Sequence, residues 1–216
     1  MQTIRNAKNA GITRSVIEAI HENAAYLSEI DGATGDGDHG VNMNKGFLLA
    51  GTRIGEDMGF SESLLVLGDT LIMDIGGSMG PIYGTLFSTL GEVLEPADEI
   101  GAPLFAKALD DATQALMDLA GARLGDKTLV DTIYPAAVSF RTAVAEGRTF
   151  EDCLSAMACG AEHGKESTRQ MQARIGRAAR LGERSIGFLD AGATSCCIIL
   201  QAMSGAMQPE LQGVEK

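Results

Sequence analysis

Apolar residues recur along the chain at steps of three and four. Ile17, Ile20, Ala24 and Leu27 form one such stripe, and Leu64, Leu67, Leu71 and Ile75 form a second. Phe105, Leu109, Ala112, Leu116 and Leu119 make a third, and Leu129, Ile133, Ala136 and Phe140 a fourth. Phe150, Leu154, Met157 and Ala161 make a fifth. This period places each set on one face of a helix and predicts amphipathic helices packed on a common core. The apolar run 193–206 reads as a buried helix in preference to a strand. The alternation that marks a half-buried strand is almost absent. Pro103 suits a helix first turn, where its missing N–H is not needed. Thr128 with Asp131 predicts a capping pair at the start of a helix over 129–145. No internal repeat, low-complexity tract or linker interrupts the pattern. The expectation is one all-α domain over residues 1–216, a helical bundle whose unusual residues gather in its connections.

Composition supports that reading. Aromatic residues are 5% of the chain and Trp is absent, so small and flexible apolar residues must fill the core. Such residues favour closely packed helices over a β-sandwich. The net charge of -12 disfavours nucleic acid and anionic membrane as partners, since both attract basic surfaces. An anionic ligand would need a cation or local donors to offset that charge. Cys153, Cys159, Cys196 and Cys197 match neither a zinc spacing nor a secreted disulfide framework. Cys196 and Cys197 lie in an apolar run and read as buried thiols. The first sixteen residues lack the apolar centre of a signal peptide, and no stretch is long enough to span a bilayer. A reducing cytoplasm is the expected setting.

The connections carry the chemistry. Asp31, Asp36 and Asp38 lie among Gly32, Gly35, Gly37 and Gly40. Glycines let the backbone turn sharply there, so three carboxylates can converge. Converging carboxylates repel one another, and a divalent cation removes that penalty. Oxygen-only ligation suits Mg²⁺ or Ca²⁺. A calcium loop of the EF-hand type fails, because Gly40 and Phe47 stand at its fifth and twelfth positions. The same spacing also serves a solvated acidic turn. His39 and Asn42 follow, and Asn42 can reach the same ligand if a helix starts near Gly40, whereas a surface or capping role is the favoured reading of His39 from its local context. The tract GGSMGP (76–81) can expose N–H groups at a helix start, a natural phosphate cradle, although close helix packing explains its glycines too. Asp126 and Lys127 sit beside another helix start, where an ion pair or cap is the plain reading. Arg174, Arg177, Arg180 and Arg184 cluster in a chain with few basic residues. They suit phosphate neutralisation, a partner surface or pairing with surface acids.

Taken in order, TGDGDHGVNMNKGF, GGSMGPIYGTLF, GDKTLVDTIYPA and IGRAARLGERSIGFLDAGATS closely resemble the nucleotide-binding L subunit of bacterial dihydroxyacetone kinases. The resemblance runs from about Tyr26 to Met203. It implies a barrel of eight antiparallel helices with ADP or ATP held in the loops at one end. It implies two Mg²⁺ ions on Asp31, Asp36 and Asp38. It places His39, Gly40, Val41, Asn42, Ser78 and Met79 around the nucleotide. It adds the Ala120–Gly121 turn, Leu129, Arg177, Asp190, Ala191 and Gly192. A separate K subunit would hold the ketose covalently through a histidine and carry the acceptor chemistry, so the lone chain is expected to have little activity. The phosphate donor would be ATP or a phosphohistidine protein of the phosphotransferase system. A nucleotide-dependent module that binds a transcription regulator is the alternative, because L subunits serve that role also. A fatty-acid kinase would need a lipid-carrier partner and fused domains. Two tracts depart from the pattern. The hydroxyl usual at position 79 stands on Ser78, and a His-Gln-Asp-Pro-Gly tract reads Phe188-Leu189-Asp190-Ala191-Gly192. Both departures suit a ketose other than dihydroxyacetone.

Overall fold

The structure is a computed structural model and describes residues 2–213. Nine α-helices dominate the described residues: α1 (Gly11–Glu22), α2 (Ala24–Thr34), α3 (His39–Arg53), α4 (Phe60–Asp74), α5 (Met79–Leu94), α6 (Ala102–Ala120), α7 (Val130–Ala145), α8 (Phe150–Ser167) and α9 (Ala191–Met207). The expected eight become nine because Asn23, with φ -98° and ψ 7°, breaks the first stripe into α1 and α2. From α2 onward each helix packs on the next, α3 also meets α1, and α9 returns against α1. The ring is therefore closed, and its inward faces form one core. Edge-on Phe47 and Phe87, with ring centroids 5.6 Å apart, fill one side of it. Phe105, Phe140 and Phe150 fill the other.

The stripes of the sequence fall in α1–α2, α4 and α6–α9, and the run 193–206 is helix α9. Helices α3 and α5 carry further stripes, Met43, Phe47 and Ala50 in one and Tyr83, Phe87, Leu90 and Leu94 in the other, and their buried faces also include Gly40 and Gly46, and Gly80, Gly84 and Gly91. These glycines bring backbones together. A Cβ on Gly84 would lie 3.0 Å from Gly68 O of α4, and one on Gly91 would lie 3.0 Å from Ser61 O. Gly160 plays the same part between α8 and α7, where its Cβ would lie 2.8 Å from Pro135 O. Helix spacing depends on the side chains at the seam, so glycine makes these two pairs the closest in the ring.

A small sheet was not expected from the sequence. β1 (Gln2–Arg5) is central and antiparallel to both β2 (Glu99–Gly101) and β3 (Gln212–Gly213). Asn6 ties this sheet to the ring. Its Oδ1 accepts from Ser61 N at 2.9 Å, and its Nδ2 donates to Leu94 O at 3.2 Å and Ala97 O at 2.8 Å. The sheet thus closes the end of the barrel where α4 begins and α5 finishes. Up-and-down neighbours put alternate connections at opposite ends. The segments 35–38, 75–78, 121–129 and 168–190 therefore share the other end. No helix among the described residues is long and apolar enough to cross a membrane.

Candidate functional site

Those four connections enclose a cavity of about 520 Å³. Asp31 reaches it from the last turn of α2, Asp36 from the turn that follows, and Asp38 from the residue before α3. Gly37, at φ +78°, supplies the left-handed turn between them. One carboxylate oxygen from each of the three lies within 4.8 Å of the others. The end of α2 carries partial negative charge, which adds to the repulsion at Asp31. Arg177 answers it with an ion pair to Asp36 and lies 3.9 Å from Asp38. An all-oxygen set this compact, with one cation against three carboxylates, fits a hard divalent ion.

Helix termini set the rest of the polarity. The first turn of α5, following Gly76, Gly77 and Ser78, has no side-chain cap, and neither has α3. At α3 the first N–H is already taken, since His39 N donates to Asp31 Oδ2 at 3.4 Å. The start of α9 is taken too, because Asp190 Oδ2 accepts from Ala193 N at 2.7 Å. The N–H groups that open α5 are thus the ones left to an anion. Met79, Pro81, Ile82, Leu119, Ala120 and Leu129 give the cavity an apolar wall.

Behind the carboxylates lies a hydrogen-bonded group that the sequence did not disclose. His39 Nε2 lies 2.8 Å from Ser195 Oγ, and Tyr83 OH lies 2.5 Å from the same oxygen. Burial holds the His39 pKa down at about 4 against the opposing pull of Asp31, so the ring is neutral at physiological pH. Ser195 Oγ also faces Ala191 O at 3.0 Å and Gly192 O at 3.1 Å. Ser195 is thus the shared contact of His39, Tyr83 and two backbone carbonyls, and Tyr83 OH also donates to Gly192 O at 3.2 Å. The signals available beforehand were slight: one of three hydroxyls inside an apolar run, and a tyrosine one helical turn beyond Met79.

Of the residues singled out beforehand, Asp31, Asp36, Asp38, His39, Asn42, Ser78, Met79, Ala120, Leu129, Arg177, Asp190, Ala191 and Gly192 all line the cavity. Gly40, Val41 and Gly121 do not. Gly40 is buried against the backbone of α2, Val41 is 63% exposed on the outer face, and Gly121 is the left-handed cap of α6 at φ 59°. Asp126 forms an ion pair with Arg174 at 3.8 Å, one of the two plain readings, and does not cap α7; its carboxylate accepts from Arg123 N at 2.8 Å within the loop. Asp131 receives Gly125 N at 2.6 Å and Thr128 N at 2.8 Å, which fixes the loop before α7. Cys196 and Cys197 are buried, as their apolar setting implied.

Burial pushes the Asp190 carboxyl up to about 6, partly offset by its bond from Ala193 and by Lys127. The unfolded value is near ~3.9. The folded state therefore takes up a proton first as pH falls. Stability from this group is full below the unfolded value and is lost as pH rises through about 6. Asn in its place keeps the cap without the buried charge. Asp190→Asn should melt above wild type at pH 7.5, and the gap should narrow as pH falls below about 6 and close only near the unfolded value, about pH 4. Thermal melts across that range check it, and a gap independent of pH would refute the assignment.

Comparison with known proteins places the chain in a family. The family model described as DAK2 domain matches residues 33–205. The chain belongs to the DAK2 domain family. Within that family it is similar to the PEP-dependent dihydroxyacetone kinase, ADP-binding subunit DhaL, of Escherichia coli (strain K12). The two are 34% identical over 183 residues, 83% of this chain and 86% of that protein. It is also similar to the L-erythrulose kinase of Pectobacterium atrosepticum, 32% identical over 192 residues, 87% of this chain and 32% of that protein. The match with this chain therefore spans most of the first relative and about a third of the second. The barrel matches the dihydroxyacetone kinase of C. freundii in complex with AMP-PNP and Mg²⁺ with a TM-score of 0.67 at 22% identity. That match covers 91% of this chain and 33% of that one, and it establishes a common fold.

Proposed function

We propose that this chain is the nucleotide-binding subunit of a two-part ketose kinase, taking ADP or ATP with two Mg²⁺ ions at the cavity described above. One observation carries the reading. A carboxylate cluster and the uncapped N-terminus of α5 meet in a single cavity of a protein with net charge -12. Carboxylates repel a polyphosphate unless cations lie between them, and free N–H groups favour it. The two together fit a metal–nucleotide complex better than either component alone. Its kinase relatives support the same class of reaction.

Each group of the site then has a task. Asp31, Asp36 and Asp38 hold the metal, and Mg²⁺ bound there would neutralise phosphate oxygens and the charge that builds on the leaving phosphate. Arg177 is released from Asp36 as the cations arrive and turns to the phosphates. The first turn of α5 orients the same oxygens. The apolar wall from Met79 to Leu129 takes the flat base. His39, neutral and fixed by Ser195, has no proton-transfer duty toward a sugar hydroxyl. Acceptor chemistry belongs to a partner that holds the ketose covalently, and the larger relatives have room for it in the remainder of their chains. Val41, Met73, Leu119, Leu124, Ile186 and Phe188 are exposed at this end of the barrel, as a docking rim requires. Dihydroxyacetone or erythrulose is the acceptor class, and Phe188 and Ala191 stand where the ketose end of the site would differ.

Calorimetry tests the electrostatic core of this reading. ADP should bind in the presence of Mg²⁺, and EDTA should weaken it by at least about tenfold. Equal affinity with and without chelator would end it.

A further inference from the structure

Lys127 is the one lysine on the cavity wall, in a loop where a phosphate contact would be the natural assumption. Its ammonium is turned elsewhere. Nζ donates to Thr168 O at 2.9 Å, Met171 O at 3.2 Å, Ser185 O at 2.6 Å and Phe188 O at 2.7 Å. The side chain is 2% exposed. An ammonium has three protons, and four carbonyls already share them, so none remains for a ligand. The backbone at Lys127 is left-handed, φ 63°, a conformation that a non-glycine residue holds only when its surroundings require it.

The four carbonyls are not scattered. Thr168 and Met171 lie where the chain leaves α8, and Ser185 and Phe188 lie where it comes back toward α9. Between them the segment 172–184 carries Arg177, the partner of Asp36 and Asp38. Immediately beyond lies Asp190, which caps α9 and lines the cavity. The neighbouring residue Asp126 adds a backbone bond, its O accepting from Arg174 N at 3.1 Å. The two stems also bond to each other, through Gly187 N to Arg169 O at 2.7 Å and Asp190 N to Thr168 Oγ1 at 3.1 Å. A carbonyl cage around one positive charge is the coordination a bound monovalent cation would have.

We propose that Lys127 is a positioning residue, a built-in cation that gathers both stems of the segment 168–190 and thereby holds Arg177 and Asp190 over the nucleotide cavity. It contacts no substrate and acts through the segment it pins. The idea rests on the nucleotide reading for its effect on binding, but not for its effect on the segment. Removing the charge leaves four carbonyls facing one another without a donor, and the segment opens. The barrel core, which Lys127 does not enter, stays intact.

The test uses the full chain with Mg·ADP as the probe, and hydrogen exchange read over 172–184. Lys127→Met keeps the length of the side chain and removes the charge. It should lower Mg·ADP affinity by about tenfold or more and speed exchange in 172–184, with the core helices protected as in wild type. Lys127→Ala leaves room for a small cation, so propylammonium chloride should recover most of the lost protection and affinity. Tetramethylammonium chloride at equal strength, which has no N–H to donate, should not. Wild-type exchange in Lys127→Met, loss of the whole fold in place of the segment alone, or equal recovery with both salts would each overturn the proposal. If wild type binds no Mg·ADP, the nucleotide reading fails, and exchange over 172–184 alone decides the role of Lys127.

Discussion

Replacing Asp36 by Asn should lower Mg·ADP affinity by on the order of a hundredfold while leaving the melting temperature of the ligand-free protein almost unchanged. The two halves of that result have different causes. Asp36 contributes one of three carboxylate oxygens that lie within 4.8 Å of one another. An amide keeps the shape and removes the charge that a hard divalent ion needs. In the ligand-free state the same charge is a mixed benefit. It repels Asp31 and Asp38, and it pairs with Arg177. That pair is about half exposed on both sides, so its net worth is at most ~1 kcal/mol. Relief of the repulsion offsets it, and the melting temperature should move by no more than about 2 °C. Titration calorimetry and circular dichroism read the two quantities separately. Wild-type affinity in a folded Asp36→Asn protein would remove that residue from the metal set. A collapse of helix content would make its role structural.

How much of this was open to a reader of the sequence depended on where each residue finds its partners. Helices α6 to α9 announce themselves because Leu109, Ile133, Leu154 and their like repeat at the helical period and are all buried. Helices α3 and α5 repeat the pattern with Met43, Phe47 and Ala50 and with Tyr83, Phe87, Leu90 and Leu94, but the close approaches made by Gly40, Gly46, Gly84 and Gly91 bury backbone and give no hydrophobic signal. The sheet has strands of four, three and two residues, too short for any alternation to register. The carboxylate cluster was legible because its members are close in sequence and separated by turn-forming glycines. The Ser195 group was not, since His39 and Tyr83 reach it across 156 and 112 residues. Lys127 is the sharpest case. From its neighbours it reads as one half of an ion pair at a helix start. Its partners are backbone carbonyls up to 61 residues away, and backbone carbonyls leave no mark in a sequence.

Gly40→Ala should be the most destabilising single methyl group that can be added near the site, at about 3 kcal/mol, or a fall of about 6–12 °C in melting temperature. Gly40 lies in the first turn of α3, facing α2. A Cβ there would overlap the carbonyl oxygen of Ala24 and sit 2.7 Å from Ser28 Oγ and 2.8 Å from Ser28 N. Two of those three obstacles are backbone, so no rotamer change relieves them. The helices must part. Because Asp38 and His39 immediately precede Gly40, parting α3 from α2 also draws Asp38 away from Asp31, which rides on α2. Loss of stability and loss of Mg·ADP affinity should therefore come together, whereas Asp36→Asn separates them. Gly205 supplies the control. It lies in α9 with open space where a Cβ would go, so Gly205→Ala should raise stability by roughly 0.5–1 kcal/mol through helix propensity alone. Opposite signs for the same chemical change would show that the approach of α2 and α3, and not helix propensity, fixes glycine at position 40. A Gly40→Ala protein that melts with wild type would mean that the two helices have slack. Asp31 and Asp38 would then need some other device to stay in register.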